Sequence, residues 1–158
     1  MNSSGWDRFR KQQAAEREQL RRLLAVMEPL LVRCRDAAPT DIELAALATM
    51  LHSFYTGIEN IFKRVALELD GAPPHGEAWH RDLLRHMAQP ALGRPALLSV
   101  ELHDTLLEYL RFRHVFRSAY SFDLDWRKMS GLVLAVGETL RAFEQALDEL
   151  LQHRPTHD

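Results

Sequence analysis

Side chains that can take part in acid–base and phosphate chemistry lie close together near position 113. Arg113 and Arg117 are separated by one helical turn, so on a helix their guanidinium groups share one side. His114 adds an imidazole, a group that exchanges protons near neutral pH, and Tyr120 adds a phenol. Arginine binds phosphate oxygens and histidine serves as a general acid or base. The segment therefore indicates phosphate binding or phosphate chemistry.

Basic side chains outnumber acidic ones around this segment. Between positions 111 and 128 the chain has five basic and two acidic residues, although its net charge is −2. Contacts between basic side chains and phosphates supply most of the affinity for nucleic acid. Arg111, Arg113 and Arg117 are therefore the candidate phosphate-binding residues. The net charge argues against a protein that coats nucleic acid over its whole surface.

Arg113 also has a purely structural interpretation. It interrupts an apolar stripe at helical spacing, which is formed by Leu102, Leu106, Tyr109, Phe116 and Tyr120. An arginine on such a stripe must be paired, or must face a ligand or a second chain, because burying it alone is costly. Glu59, which lies among apolar neighbours, is a candidate partner for Arg113 or Arg117. Tyr120 is either an exposed phenol or a ring that closes the core.

The elements that must position these residues are helices. Gly and Pro number only seven each and cluster at residues 71–76 and 90–95, which leaves long uninterrupted segments. Apolar residues in these segments recur with a period near 3.6. The pattern predicts helices at about residues 6–35, 42–69, 77–87, 99–120 and 126–152, with candidate N-caps within Pro39-Thr40-Asp41, at Ser99 and at Asp125. We therefore predict an all-α, single-domain bundle of four to five helices spanning residues 1–158.

Several classes of chemistry and location are disfavoured by the sequence. It has no Gly-rich phosphate loop, His-Glu-x-x-His pair, cysteine cluster or serine nucleophile elbow, so we expect neither a cofactor nor a bound metal. Asp123 and Asp125 could hold a cation, but a turn and an N-cap explain both. Cys34 is the single cysteine, and no secretory-type start or membrane-length apolar run is present. We expect a cytoplasmic protein with no membrane partner.

Residues 113–120 resemble the signature of the HepT-like ribonuclease toxins of the HEPN superfamily. They read Arg-His-Val-Phe-Arg-Ser-Ala-Tyr and are followed by Ser-Phe-Asp-Leu-Asp-Trp. In that family an arginine is followed, after four to six residues, by histidine, any residue and tyrosine. Residues 54–62 and 79–84 also resemble these proteins, so the resemblance runs from about residue 45 to 150.

The resemblance implies a HEPN-like bundle that forms a homodimer, in which two copies of the motif meet in a cleft. It also implies metal-independent RNA cleavage, in which a base withdraws the ribose 2′-hydroxyl proton and arginine stabilises charge on the phosphate oxygens. The implied partner is a small nucleotidyltransferase antitoxin that attaches AMP to the motif tyrosine, here Tyr120.

The chain departs from the family at the motif histidine, because the corresponding position is Ser118. A serine hydroxyl is a poor base at neutral pH, and His114 is the candidate substitute. Two functions follow from these residues. The first is a toxin endoribonuclease neutralised by a nucleotidyltransferase, with catalytic residues Arg113, His114, Ser118 and Tyr120. The second is a catalytically degenerate HEPN dimer that binds RNA, a nucleotide or a protein partner.

Overall fold

The structure, a computed structural model, describes residues 3–73, 75–118, 120 and 123–153, with the side chains of residues 3, 117 and 118 outside the description. In these ranges every regular element is helical: α1 (Ser3–Arg33), α2 (Asp41–Arg64), α3 (Trp79–Met87), α4 (Val100–Ser118) and α5 (Trp126–Gln152). This arrangement confirms the predicted all-α bundle. None of the described helices is both long and apolar enough to cross a bilayer.

Helix starts agree with the capping residues expected from the sequence. Thr40 accepts a hydrogen bond from the Glu43 backbone, and the Glu43 carboxylate accepts one from the Thr40 backbone, so the two form a capping box. The Ser99 hydroxyl accepts from Leu102 N at 3.1 Å. The Asp125 carboxylate accepts from Arg127 N at 3.0 Å, which confirms the N-cap role of this aspartate.

Helix α2 is the centre of the bundle and packs against each of the other four helices. Its apolar stripe is completely buried, as shown by Phe54, Ile58 and Phe62. Gly57 permits close approach of α1, because a Cβ atom there would lie 2.6 Å from Leu20 Cδ2. The helix that we predicted as one α-helix to residue 69 changes to a π-helix over Val65–Leu69.

Helix α4 is fixed against α2 and α5 by Tyr109, one turn before Arg113. The Tyr109 hydroxyl donates a 2.7 Å hydrogen bond to Leu132 O of α5. The centroid of the Tyr109 ring lies 5.2 Å from that of the Phe54 ring of α2. Burial raises the pKa of the Tyr109 phenol, although a hydrogen bond with Thr139 acts in the opposite direction.

Helix α3 is held in place by a buried ion pair beyond its C-terminus. The Arg94 side chain, which is completely buried, donates from Nε and Nη2 to the two carboxylate oxygens of Asp70 at 2.7 and 2.8 Å. Leu97 N and Leu98 N both donate to Met87 O, the last residue of α3. These contacts join the loop after α3 to the end of the π-helix and so set the direction of α3 across α2.

Candidate functional site

Arg113 forms a buried ion pair with Glu59, so α4 and α2 are joined at the predicted motif. Its Nη1 and Nη2 atoms both lie 3.2 Å from Glu59 Oε1, and Nη2 lies 3.5 Å from Oε2. Only 4% of Arg113 and 3% of Glu59 is exposed. This geometry confirms Glu59 as the carboxylate partner of Arg113. A bidentate contact of this kind fixes the plane of the guanidinium group.

His80, from the first turn of α3, completes a three-residue cluster with this pair. Its Nδ1 atom lies 2.8 Å from Glu59 Oε2 and 2.8 Å from Arg113 Nη2. The imidazole is 20% exposed, so the cluster reaches the protein surface at this residue. The arginine motif thus has an imidazole in direct contact.

The His80 ring is fixed on its other side by aromatic stacking. Trp79 stacks on it with ring centroids 3.5 Å apart, and the Lys63 ammonium lies 4.9 Å from the centre of the Trp79 ring. The Trp79 ring contacts both the His80 imidazole and the Lys63 ammonium, and its stacking holds the imidazole in its orientation. The packing leaves His80 little freedom to rotate.

A second imidazole lies beside the first. His114, on the exposed side of α4, has its ring centroid 6.1 Å from that of His80, with the two rings nearly perpendicular. The structure therefore places two imidazoles next to the buried pair of Arg113 and Glu59. Such a set of groups can transfer protons and stabilise charge.

Tyr55 packs against the guanidinium group and forms the buried side of the cluster. Arg113 Cζ lies 5.2 Å from the centre of the Tyr55 ring, within the range of a cation–π contact. Burial raises the pKa of the Tyr55 phenol, and the nearby Glu59 carboxylate raises it further. Tyr55 is therefore a neutral group in the site.

The other predicted residues are spread around the end of α4. Arg111 is exposed and pairs with Glu108 at 2.7 Å. Tyr120 is 72% exposed because α4 ends at Ser118 and the tyrosine follows the helix, so its ring does not close the core. The side chains of Arg117 and Ser118 lie outside the described part of the chain.

His80 is the site residue that sequence reasoning missed. It is 33 residues from Arg113, and no local spacing connects two residues on different helices. The available signal was the resemblance of residues 79–84 to the same family that residues 113–120 resemble. That signal placed the segment in the fold but assigned no role to its histidine.

Comparison with known protein families agrees with the fold. A family model described as HepT-like protein matches residues 46–153, a stretch that contains Glu59, His80 and Arg113. The chain therefore belongs to the HepT-like family of HEPN proteins. Comparisons with curated proteins and with solved structures gave no match.

Proposed function

We propose that the protein is a metal-independent endoribonuclease of the HepT-like type, acting as the toxin of a toxin–antitoxin pair. The observation that carries this proposal is the contact of a buried, carboxylate-bound Arg113 with one imidazole, His80, beside a second, His114. Cleavage of RNA through its 2′-hydroxyl needs groups that accept a proton and stabilise charge on the phosphate. The two imidazoles can accept the proton, and the exposed Arg111 nearby on α4 can stabilise the charge, so the proposed reaction requires no metal.

Phosphate binding in this proposal comes from the exposed basic residues of α4. Arg111 pairs with Glu108, one turn away and half-exposed, and a surface pair of this kind contributes about 0–1 kcal/mol. An RNA phosphate can therefore displace Glu108. Arg113 lies behind the imidazoles with its Glu59 partner and fixes their position. Arg117 is the other proposed phosphate ligand on α4, and its side chain lies outside the described part of the chain.

The proposal includes a homodimer in which the end of α4 meets its counterpart. Val115 is 60% exposed and Tyr120 is 72% exposed, so two large apolar groups of the motif lie at the surface. Covering them by a second copy would remove apolar area from water and bring two clusters to one cleft. Light scattering at micromolar concentration should give a dimer. Val115→Glu should weaken it, whereas Val26→Glu, at an equally exposed valine on α1, should not.

Tyr120 is the proposed site at which a nucleotidyltransferase antitoxin attaches AMP. Its phenol is accessible, which such a transfer requires: the phenol oxygen attacks the α-phosphate of ATP and pyrophosphate leaves. Incubation with the partner and ATP should add the mass of one AMP. The addition should be lost in Tyr120→Phe and kept in Tyr109→Phe, which removes a buried phenol. An unchanged addition in Tyr120→Phe would show that the site is wrong.

A second candidate function is supported by the burial of Arg113. With 4% of its surface exposed and both Nη atoms directed at Glu59, the arginine is well suited to a structural role. The protein would then be a HEPN dimer that binds RNA, a nucleotide or its partner without cleaving RNA.

Incubation of the purified protein with total RNA in EDTA separates the two functions. The nuclease should fragment the RNA, and Arg113→Ala and His114→Ala should be slower. RNA that stays intact at high protein concentration, while still shifting in a binding assay, would support the binding module and contradict the nuclease.

A further inference from the structure

We propose that His80 is the general base of this site and takes the ribose 2′-hydroxyl proton on Nε2 while Glu59 holds Nδ1. The assignment rests on the proposed RNA cleavage, and it gives the role of base, which Ser118 cannot fill, to His80 rather than to His114, because His80 has a carboxylate on Nδ1. A histidine base needs one ring nitrogen fixed by an acceptor and the other directed to the substrate. Both hydrogen-bond contacts that the structure describes for His80 involve Nδ1, and the ring is 20% exposed.

The tautomer of His80 follows from the atoms around Nδ1. This nitrogen lies 2.8 Å from a carboxylate oxygen, Glu59 Oε2, and 2.8 Å from a guanidinium nitrogen, Arg113 Nη2, so it can serve only one of them. If Nδ1 carried a lone pair, it would face the carboxylate lone pairs at hydrogen-bond distance. Arg113 already has a carboxylate acceptor, because its Nη1 and Nη2 both lie 3.2 Å from Glu59 Oε1, whereas the shortest contact described for Glu59 Oε2 is the one to Nδ1. The Nδ1–H tautomer is therefore favoured, and it leaves a lone pair on Nε2.

Glu59 also favours the protonated imidazole that the reaction would produce. Once Nε2 accepts a proton, the positive ring remains in contact with Glu59 Oε2. Glu59 balances either this charge or that of Arg113. His114 of α4 lies beside the imidazole, and Lys63 of α2 lies over the Trp79 ring that stacks on it. The carboxylate is thus a positioning residue for the base and acts through His80.

The chemical step is a transesterification within the RNA. The 2′-hydroxyl proton moves to His80 Nε2, a bond forms between the 2′-oxygen and phosphorus, and the bond from phosphorus to the 5′-oxygen breaks. The 5′-oxygen leaves with a proton from water, and the hydroxide that remains takes the proton from His80 Nε2, which restores the base. The products are a 2′,3′-cyclic phosphate and a 5′-hydroxyl, and no oxidant or reductant is consumed.

Substitution of His80 separates a base from a structural residue. His80→Asn places an amide near the Nδ1 position, so it can still donate to Glu59 but cannot accept the substrate proton. General-base catalysis contributes about 10²- to 10⁴-fold, so we expect His80→Asn and His80→Ala to cleave RNA at least ~100-fold more slowly. His103→Ala is the matched control, because His103 is a 21% exposed imidazole on α4 that also contacts a carboxylate, Asp104. It should retain full activity.

Two further measurements identify the role of His80. Added imidazole should restore part of the rate of His80→Ala but not that of Glu59→Gln, whose histidine is still present. A nucleotide 3′-phosphate diester with a good leaving group should show the same rate loss in His80→Ala, because proton removal is still required. A loss that disappears with this substrate would assign His80 to the leaving group and overturn its role as base.

Nuclear magnetic resonance tests the tautomer independently of activity. The ring nitrogens of neutral His80 should show a protonated Nδ1 and an unprotonated Nε2, and a protonated Nε2 would overturn the assignment. Wild-type protein that does not cleave RNA would contradict the proposed function itself. Cleavage by the wild type that is undiminished in His80→Ala would overturn the assignment of His80 and leave the nuclease proposal standing.

Discussion

Replacement of Glu59 by leucine tests whether the buried ion pair sets the stability of the site. The substitution keeps the side chain's approximate size and leaves the Arg113 guanidinium, 5% exposed, without its carboxylate. Arginine cannot escape by losing its proton, so the charge remains buried and unpaired. Breaking a buried pair in this way costs about 3–5 kcal/mol. This loss is a large share of the ~5–15 kcal/mol that stabilises a typical domain.

Arg113→Met should be less damaging than Glu59→Leu. In this variant Glu59 keeps its 2.8 Å contact with His80, so it still has a polar partner. We expect a loss of about 1–3 kcal/mol, the penalty for leaving one buried polar group imperfectly paired. The double variant removes both charges and should lie within about 1–2 kcal/mol of the wild type, since apolar residues often replace a buried pair at little cost.

Urea unfolding followed by circular dichroism measures all four proteins at one protein concentration, which is held fixed because dimerisation contributes to stability. In a separate thermal unfolding experiment, Glu59→Leu should lower the melting temperature by about 6–20 °C, at ~2–4 °C for each kcal/mol of lost stability in a domain of this size. A Glu59→Leu loss under about 1 kcal/mol would refute the reasoning, as would single-variant losses that simply add in the double variant.

Three further predictions concern the parts that position the site. Tyr109→Phe removes the hydrogen bond to Leu132 O and should cost about 0.5–1.5 kcal/mol in urea unfolding, whereas an unchanged midpoint would show that the bond contributes nothing. Thr40→Ala removes the α2 N-cap and should cost about 0.5–2 kcal/mol, with Thr49→Ala, at an exposed threonine within α2, as the control. The pKa values of Tyr55 and Tyr109 are raised in the folded state, so the unfolded chain loses these protons first. The contribution of these two phenols to the free energy of unfolding should therefore be fully present below about pH 10 and decrease above it. Phenolate absorbance from these rings that appears before helicity is lost would contradict this prediction.

The helices could be predicted because their signals are local. Apolar residues at helical spacing and the capping residues Thr40, Ser99 and Asp125 lie next to the elements that they specify. The change to a π-helix at Val65–Leu69 was missed, since the apolar stripe continues through it without interruption. The spacing of the stripe continues to Tyr120, so α4 was predicted to run to about that residue; its described part ends at Ser118.

Sequence reasoning could predict only those site residues whose charge is unexpected among their apolar neighbours. Arg113 and Glu59 were recognisable because each is a charge on an apolar stripe, and two such charges in one core must meet. His80 gave no such signal, because a histidine in the first turn of a short polar helix has no unusual neighbours in sequence. Its position depends on the direction of α3, which the Asp70–Arg94 pair fixes from beyond the helix. A contact between residues that are far apart in the sequence gives no local pattern from which it could be predicted.

The most direct test of the central claim is the mass spectrum of the products from a defined RNA oligonucleotide incubated with the wild-type protein in EDTA. Metal-independent attack by the 2′-hydroxyl predicts fragments that end in a 2′,3′-cyclic phosphate and begin with a 5′-hydroxyl. An oligonucleotide with 2′-deoxyribose at the cleaved position should stay intact. Cleavage of the deoxy substrate, fragments with 5′-phosphates, or no cleavage of the RNA at all would contradict the account.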